Sequence, residues 1–109
     1  MRSELDVDVA HIDGSVVVVV QGEVDVATAP TLFRALQDLR AGSHVLVDMG
    51  NVGFIDSSGL RVLAAQAVRM IDAGGSLHLS QASSALRRVL VITSLEHLLL
   101  DPPPPRMAC

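Results

Sequence analysis

The chain has 109 residues, a net charge of −4 and no lysine, so each strong cation is one of eight arginines. Nucleic-acid binding needs clustered positive charge and usually aromatic stacking platforms. With Phe33 and Phe54 as its only aromatic residues, the composition argues against direct nucleic-acid contact. Half of the residues are apolar, enough for one domain over residues 1–100 with a core of Val, Leu, Ile and Ala.

The N-terminal MRSELDVDVA is acidic and lacks an apolar h-region, so it does not read as a signal peptide. The longest purely apolar run, Val16 to Val20, is far too short to cross a bilayer. The only cysteine is Cys109, which allows no intrachain disulfide and fits a reducing, cytoplasmic location.

Leu5, Val7 and Val9 alternate with Asp6, Asp8 and Ala10, the pattern of a half-buried strand. His11 to Gly14 reads as a hairpin turn. Val16 to Val20 is an unbroken β-branched run, which predicts a strand buried on both faces and ending at Gly22. Thr28 as cap and Pro30 in the first turn start a helix with Leu32, Phe33, Leu36 and Leu39 at helical spacing, and Gly42 ends it. Val45 to Val47 is a short strand, followed by a polar turn. Leu60, Leu63, Ala64, Ala67, Val68 and Ile71 then form one helical stripe, with Arg61, Arg69 and Asp72 off it, and Gly74-Gly75 as terminator.

Leu77 and Leu79 mark another strand. Ser83-Ser84 starts a helix with Leu86, Val89 and Leu90 inward and Arg87 and Arg88 outward, and residues 98–100 are a candidate last strand. Asp101 with Pro102 to Pro105 reads as a polyproline-II tail, so residues 101–109 stand apart from the domain. The order β-β-α-β-α-β-α predicts an α/β fold: a mixed, mainly parallel sheet with helices on one face or both.

Enzyme signatures are missing. A P-loop requires a lysine, Ser57 and Ser58 are not in a Gly-x-Ser-x-Gly elbow, and no glycine pattern matches a dinucleotide fingerprint. His11, His44, His78 and His97 show no metal-ligand spacing. No cofactor, metal or catalytic residue is therefore expected.

Asp56-Ser57-Ser58-Gly59, at the start of the second helix, permits two readings. Asp and Ser are preferred N-caps, because their oxygens accept the orphan amide hydrogens of a first turn. The same free N–H groups and positive dipole end also tolerate an added phosphate, which would bring about −1.5 to −2 charge.

The run Val47-Asp48-Met49-Gly50-Asn51-Val52-Gly53-Phe54-Ile55-Asp56-Ser57-Ser58-Gly59-Leu60 resembles the signature of bacterial anti-sigma factor antagonists, the stand-alone STAS domains. Gly22-Glu23-Val24-Asp25 is similar to their Gly-Glu-Leu-Asp segment, and Ser83 to Leu90 followed by Ser94-Leu95 to their third helix. The resemblance spans about residues 5 to 100 and implies a STAS fold.

It further implies that Ser57 is the phosphoacceptor of a cognate anti-sigma factor with serine kinase activity. The unphosphorylated chain would bind that kinase and so release a sigma factor. Asp56, Ser58 and Gly59 would shape the acceptor turn, and Glu23, Val24 and Asp25 would form a partner loop beside it. Arg61, where the family often has Gly, would add a charge at that face unless it is a solvated helix residue. ATP and its metal would belong to the kinase. The chain itself would be a monomer or weak homodimer with no membrane partner. Two alternatives stand beside this reading: a non-switching STAS subunit of another complex, such as a lipid-transport ATPase, and a small hydrolase using Ser57.

Overall fold

In a computed structural model of the protein, residues 5–100 are described. The expected proline-rich tail, the terminal Cys109 and the first four residues lie outside them. Asp13 and Gly14 have φ of 50° and 83°, the paired left-handed conformations of a type I′ turn. They close an antiparallel hairpin between β1 (Leu5–Ile12) and β2 (Ser15–Val24), with Ile12 opposite Ser15 and Leu5 opposite Gly22.

Two crossovers follow. Helix α1 (Ala29–Gln37) leads to β3 (His44–Ile55), and α2 (Ser57–Asp72) leads to β4 (Ser76–Ser80). Strands β2, β3 and β4 are parallel, and the sheet order is β1-β2-β3-β4. Since the order advances in one direction and such crossovers are right-handed, α1 and α2 fall on the same face.

Burial agrees with one covered face. Val16, Val18 and Val20 are buried, whereas Val17 and Val19 between them are half-buried. The expectation of a strand covered on both faces is thus corrected. β-Branched residues fill both sides of β2, but one layer of helices covers only one. In register with the valines, Val45, Val47, Leu77 and Leu79 complete the covered face.

The expected short strand at Val45–Val47 is also corrected. β3 continues through Asn51–Ile55, which pair with Gln21–Val24 after two register shifts. Of the residues read as a polar turn, those up to Ile55 are therefore strand, while Asp56 to Gly59 open α2 as expected. Bulges keep the ladder hydrogen-bonded while displacing the alternation that a sequence pattern relies on.

The core is Val, Leu and Ala as expected, but Met49 and Met70 are buried and no isoleucine is. An unbranched thioether fills irregular gaps that a β-branched chain does not. On α2 the buried face is Leu60, Leu63, Gln66, Ala67 and Met70, while Val68 and Ile71 remain 47% exposed. The buried stripe is rotated from the expected one because the polar Gln66 belongs to it. Gln66 is only 2% exposed, and its polar atoms are satisfied internally. Its Nε2 donates to Gln37 Oε1 at 2.8 Å and its Oε1 accepts from Arg69 Nε at 2.9 Å.

Arg69 Nη2 then donates to the carbonyls of Leu36 and Leu39, each at 2.9 Å. Helix ends leave orphan carbonyls, and here an arginine from α2 caps α1. That helix stops at Gln37 with Asp38 as C-cap, before the expected Gly42. The close of α2 is as expected. Gly75 N donates to Met70 O and Gly74 N to Ile71 O, the two bonds of a Schellman motif.

Past β4 come α3 (Ser84–Ile92) and α4 (Glu96–Leu99). Ser83 caps α3 by accepting from Leu86 N at 3.1 Å. Residues 98–100 were expected as a strand. Instead α4 carries Leu99 fully into the core, and only a parallel bridge of Leu100 to Leu79 remains. Ser94, at φ 62°, forms the same Schellman turn after α3. That turn redirects the chain into a further helix rather than a strand.

Candidate functional site

The ends of β2 and β3 run side by side, with Glu23 opposite Phe54 and Val24 opposite Ile55. Asp56 N donates to Val24 O at 3.0 Å, and α2 begins at the next residue. This is the carboxyl end of the parallel strands, where α/β sheets commonly place ligand and partner sites.

Asp56 has extended backbone angles, φ −106° and ψ −171°, and its Oδ1 accepts from Ser58 N at 2.8 Å. The N-cap is thus Asp56. Ser57 is the first helical residue, exposed, and its hydroxyl makes no hydrogen bond among the described residues. Of the two readings of this turn, capping belongs to the carboxylate, which leaves the Ser57 hydroxyl unengaged.

Gly59 lies where α2 meets the sheet. A Cβ there would come within 2.5 Å of Val24 Cγ1 and 2.8 Å of Ile55 Cγ1. Glycine lets the helix start sit directly on the two strand ends, and this close seating positions Ser57.

The expected Glu23-Val24-Asp25 loop is in part strand, and its three residues differ. Glu23 is exposed, Asp25 is half-buried, and Val24 is completely buried. Strand alternation turns Val24 inward against Gly59, so its side chain is a packing element and not a surface contact. Gly59 is buried for the same reason.

Asp25 organises the connection to α1. Its Oδ1 accepts from Ala27 N at 2.9 Å and Thr28 N at 3.0 Å. Thr28 occupies the N-cap position of α1 as expected, but with αR backbone angles and no side-chain cap bond. Its buried hydroxyl instead donates to Glu23 O at 2.7 Å and accepts from Asp25 N at 2.9 Å. The threonine faces back toward the strand and latches Glu23 and Asp25 in place.

Two exposed apolar side chains adjoin this turn. Val26 is 76% exposed and Phe54 is 51% exposed. Phe54 also borders a cleft of about 250 Å³ lined by Met49, Val52, Leu86 and Val89. Composition and periodicity do not signal their exposure, because apolar residues in a strand or turn ordinarily face a core. The odd placement of Val26 between Asp25 and a cap candidate was the available signal. Arg61 is exposed one helical turn after Ser57.

The histidines lie elsewhere. His44 Nδ1 is 3.0 Å from Ser76 Oγ at the opposite end of the sheet, and His97 is 3.6 Å from Glu96. No group of three His, Cys, Asp or Glu able to hold a metal occurs among the described residues. No helix among them is long and apolar enough to cross a membrane.

This fold, with a helix seated on paired strand ends behind an Asp-Ser-Ser-Gly turn, defines a STAS domain. The STAS domain family model matches residues 6–105, and the chain belongs to that family. Within it the chain falls among the anti-sigma factor antagonists. It is 32% identical over 96 residues to the anti-sigma-B factor antagonist of Bacillus subtilis (strain 168), covering 87% of this chain and 88% of that one. It is also similar to the crystal structure of an anti-sigma factor antagonist from Mycobacterium paratuberculosis, with a TM-score of 0.75 and 30% identity over 94% of this chain and 87% of the other. The phosphorylated form of the Bacillus cell fate determinant SpoIIAA shares the fold, with a TM-score of 0.68 and 17% identity over 91% and 93% of the two chains.

Proposed function

We propose that the protein is a phosphorylation-controlled antagonist of an anti-sigma factor that is itself a serine kinase, with Ser57 as the phosphoacceptor. Unphosphorylated, it binds that partner through the face around Ser57, and the partner gives up its sigma factor. The observation that carries this reading is the division of labour at the turn. Asp56 holds the helix start, while the Ser57 hydroxyl is exposed and unbonded. Phosphorylation therefore need not break the cap.

In the transfer step the Ser57 Oγ–phosphorus bond forms and the bond to the ADP oxygen breaks. The hydroxyl proton passes to a base of the kinase, which also holds ATP and its metal. The dianion added to Ser57 would then oppose docking, since Glu23, Asp25 and Asp56 already make this face acidic. Such an exchange belongs in the cytoplasm, where the kinase, ATP and sigma factors meet.

The reading is tested by incubating the chain with the anti-sigma kinase and ATP and measuring intact mass. Addition of one phosphate, lost in Ser57→Ala, is expected. A chain that stays unmodified while a control antagonist is phosphorylated would overturn it.

A further inference from the structure

Arg61 differs from the other cation of α2 whose contacts are described. Arg69 spends its guanidinium on Gln66 and on the carbonyls of Leu36 and Leu39. Arg61 is exposed and makes no hydrogen bond or ion pair among the described residues. It follows Ser57 by four residues on a continuous helix. Side chains so spaced lie on one face with Cβ atoms about 5–6 Å apart, and a negative group N-terminal to a positive one is the favourable order.

The remaining charges at this turn have the opposite sign. Asp56 stands at the junction of β3 with α2, and Glu23 and Asp25 stand at the end of β2. Val24 and Ile55, against which the helix start packs, bring no charge.

We propose that Arg61 is the built-in counter-ion of a phosphate on Ser57. In the unmodified chain the guanidinium stands free on the docking face, available to an acidic group of the partner. Once Ser57 carries phosphate, Arg61 turns back one helical turn and forms charge-assisted hydrogen bonds with the phosphate oxygens. Modification thus adds negative charge and also withdraws a cation from the partner. Arg61 acts here as a positioning residue. The inference rests on the reading of Ser57 as the acceptor.

The test is phosphorus-31 NMR on the full chain with phosphoserine incorporated at position 57 during translation, which needs no kinase. An adjacent cation favours the dianion, so it lowers the second phosphate pKa from its usual value of about 6. Replacing Arg61 by Gln should raise that pKa by roughly 0.2–0.4 unit at low ionic strength, as expected of an exposed pair of this spacing. Arg61→Lys should keep at least half of the effect, and molar salt should shrink the difference between native and Gln chains. Far-UV circular dichroism of each variant verifies that α2 is intact.

Equal pKa values in the native and Gln chains at low salt would overturn the pairing. Failure of every candidate kinase to modify Ser57 would instead overturn the switch, and would leave the titration result standing.

Discussion

The Asp56 carboxylate accepts the Ser58 amide hydrogen at 2.8 Å, across the Ser57 residue between them. This contact assigns stability and modification to different side chains of one turn. Asp56→Ala removes an N-cap and should cost about 0.5–2 kcal/mol. Ser57→Ala removes only an exposed hydroxyl, and alanine suits a first helical turn, so its effect should stay within about 0.5 kcal/mol. Urea denaturation of the two variants gives the comparison. A larger loss in Ser57→Ala than in Asp56→Ala would mean that the cap lies on the serine.

Arg69 should matter more to stability than its place outside the expected stripe suggests. Arg69→Ala removes the side-chain donor to the carbonyls of Leu36 and Leu39, of which Leu36 keeps the Leu39 amide at 3.1 Å, and leaves buried Gln66 Oε1 without its arginine donor. Leaving such groups unsatisfied costs about 1–3 kcal/mol. For a domain of this size each kcal/mol lowers the melting temperature by about 4–8 °C. Arg69→Lys should recover little, because one ammonium does not reproduce the planar fork that spans Gln66 and two carbonyls. Thermal unfolding of both variants within about 2 °C of the native chain would contradict this account.

Gly59→Ala tests the seating of α2. Its Cβ would meet Val24 Cγ1 at 2.5 Å and Ile55 Cγ1 at 2.8 Å, so either the helix start or both strand ends must shift. Overpacking of this kind costs about 1–3 kcal/mol, although alanine is the better helix former by about 1 kcal/mol. A net destabilisation is expected, with chemical-shift changes at Val24, Ile55 and Ser57. Unchanged shifts at Ser57 would show that the acceptor turn is positioned independently of this contact.

The element order, the hairpin turn and the Asp56–Gly59 helix start were legible in the sequence because each is a local signal. What escaped reading depends on groups distant in sequence. The carbonyls that Arg69 caps lie some 30 residues before it. Gln66 is polar by type and joins the core only because Gln37 and Arg69 satisfy it. The strand beyond Val47 was hidden by bulges, which shift the period-2 pattern without ending the pairing. At the site, Val24 and Gly59 looked like surface residues through their motif, and only the seating of α2 on β2 shows them inside.

Ser57→Asp separates folding from docking. At the first position of α2 a carboxylate gains about 0.3–1 kcal/mol from the helix dipole, offset in part by repulsion from the neighbouring Asp56. Stability in urea should therefore change by less than about 1 kcal/mol. At a docked face the same charge must lose its hydration, and pairing it with Arg61 of the same helix only withdraws that cation from the partner, so docking costs several kcal/mol. A penalty of about 3 kcal/mol weakens binding to the anti-sigma factor by more than about 100-fold. Ser57→Ala, which adds no charge, should bind within a few-fold of the native chain. Aspartate carries less charge than phosphate, so chains with phosphoserine at position 57 should lose at least as much affinity. Calorimetric titration of the native, Ala, Asp and phosphoserine forms into one anti-sigma factor preparation decides the matter. Matching affinities for the native and phosphoserine forms would remove the switch and leave the domain as a constitutive binding module.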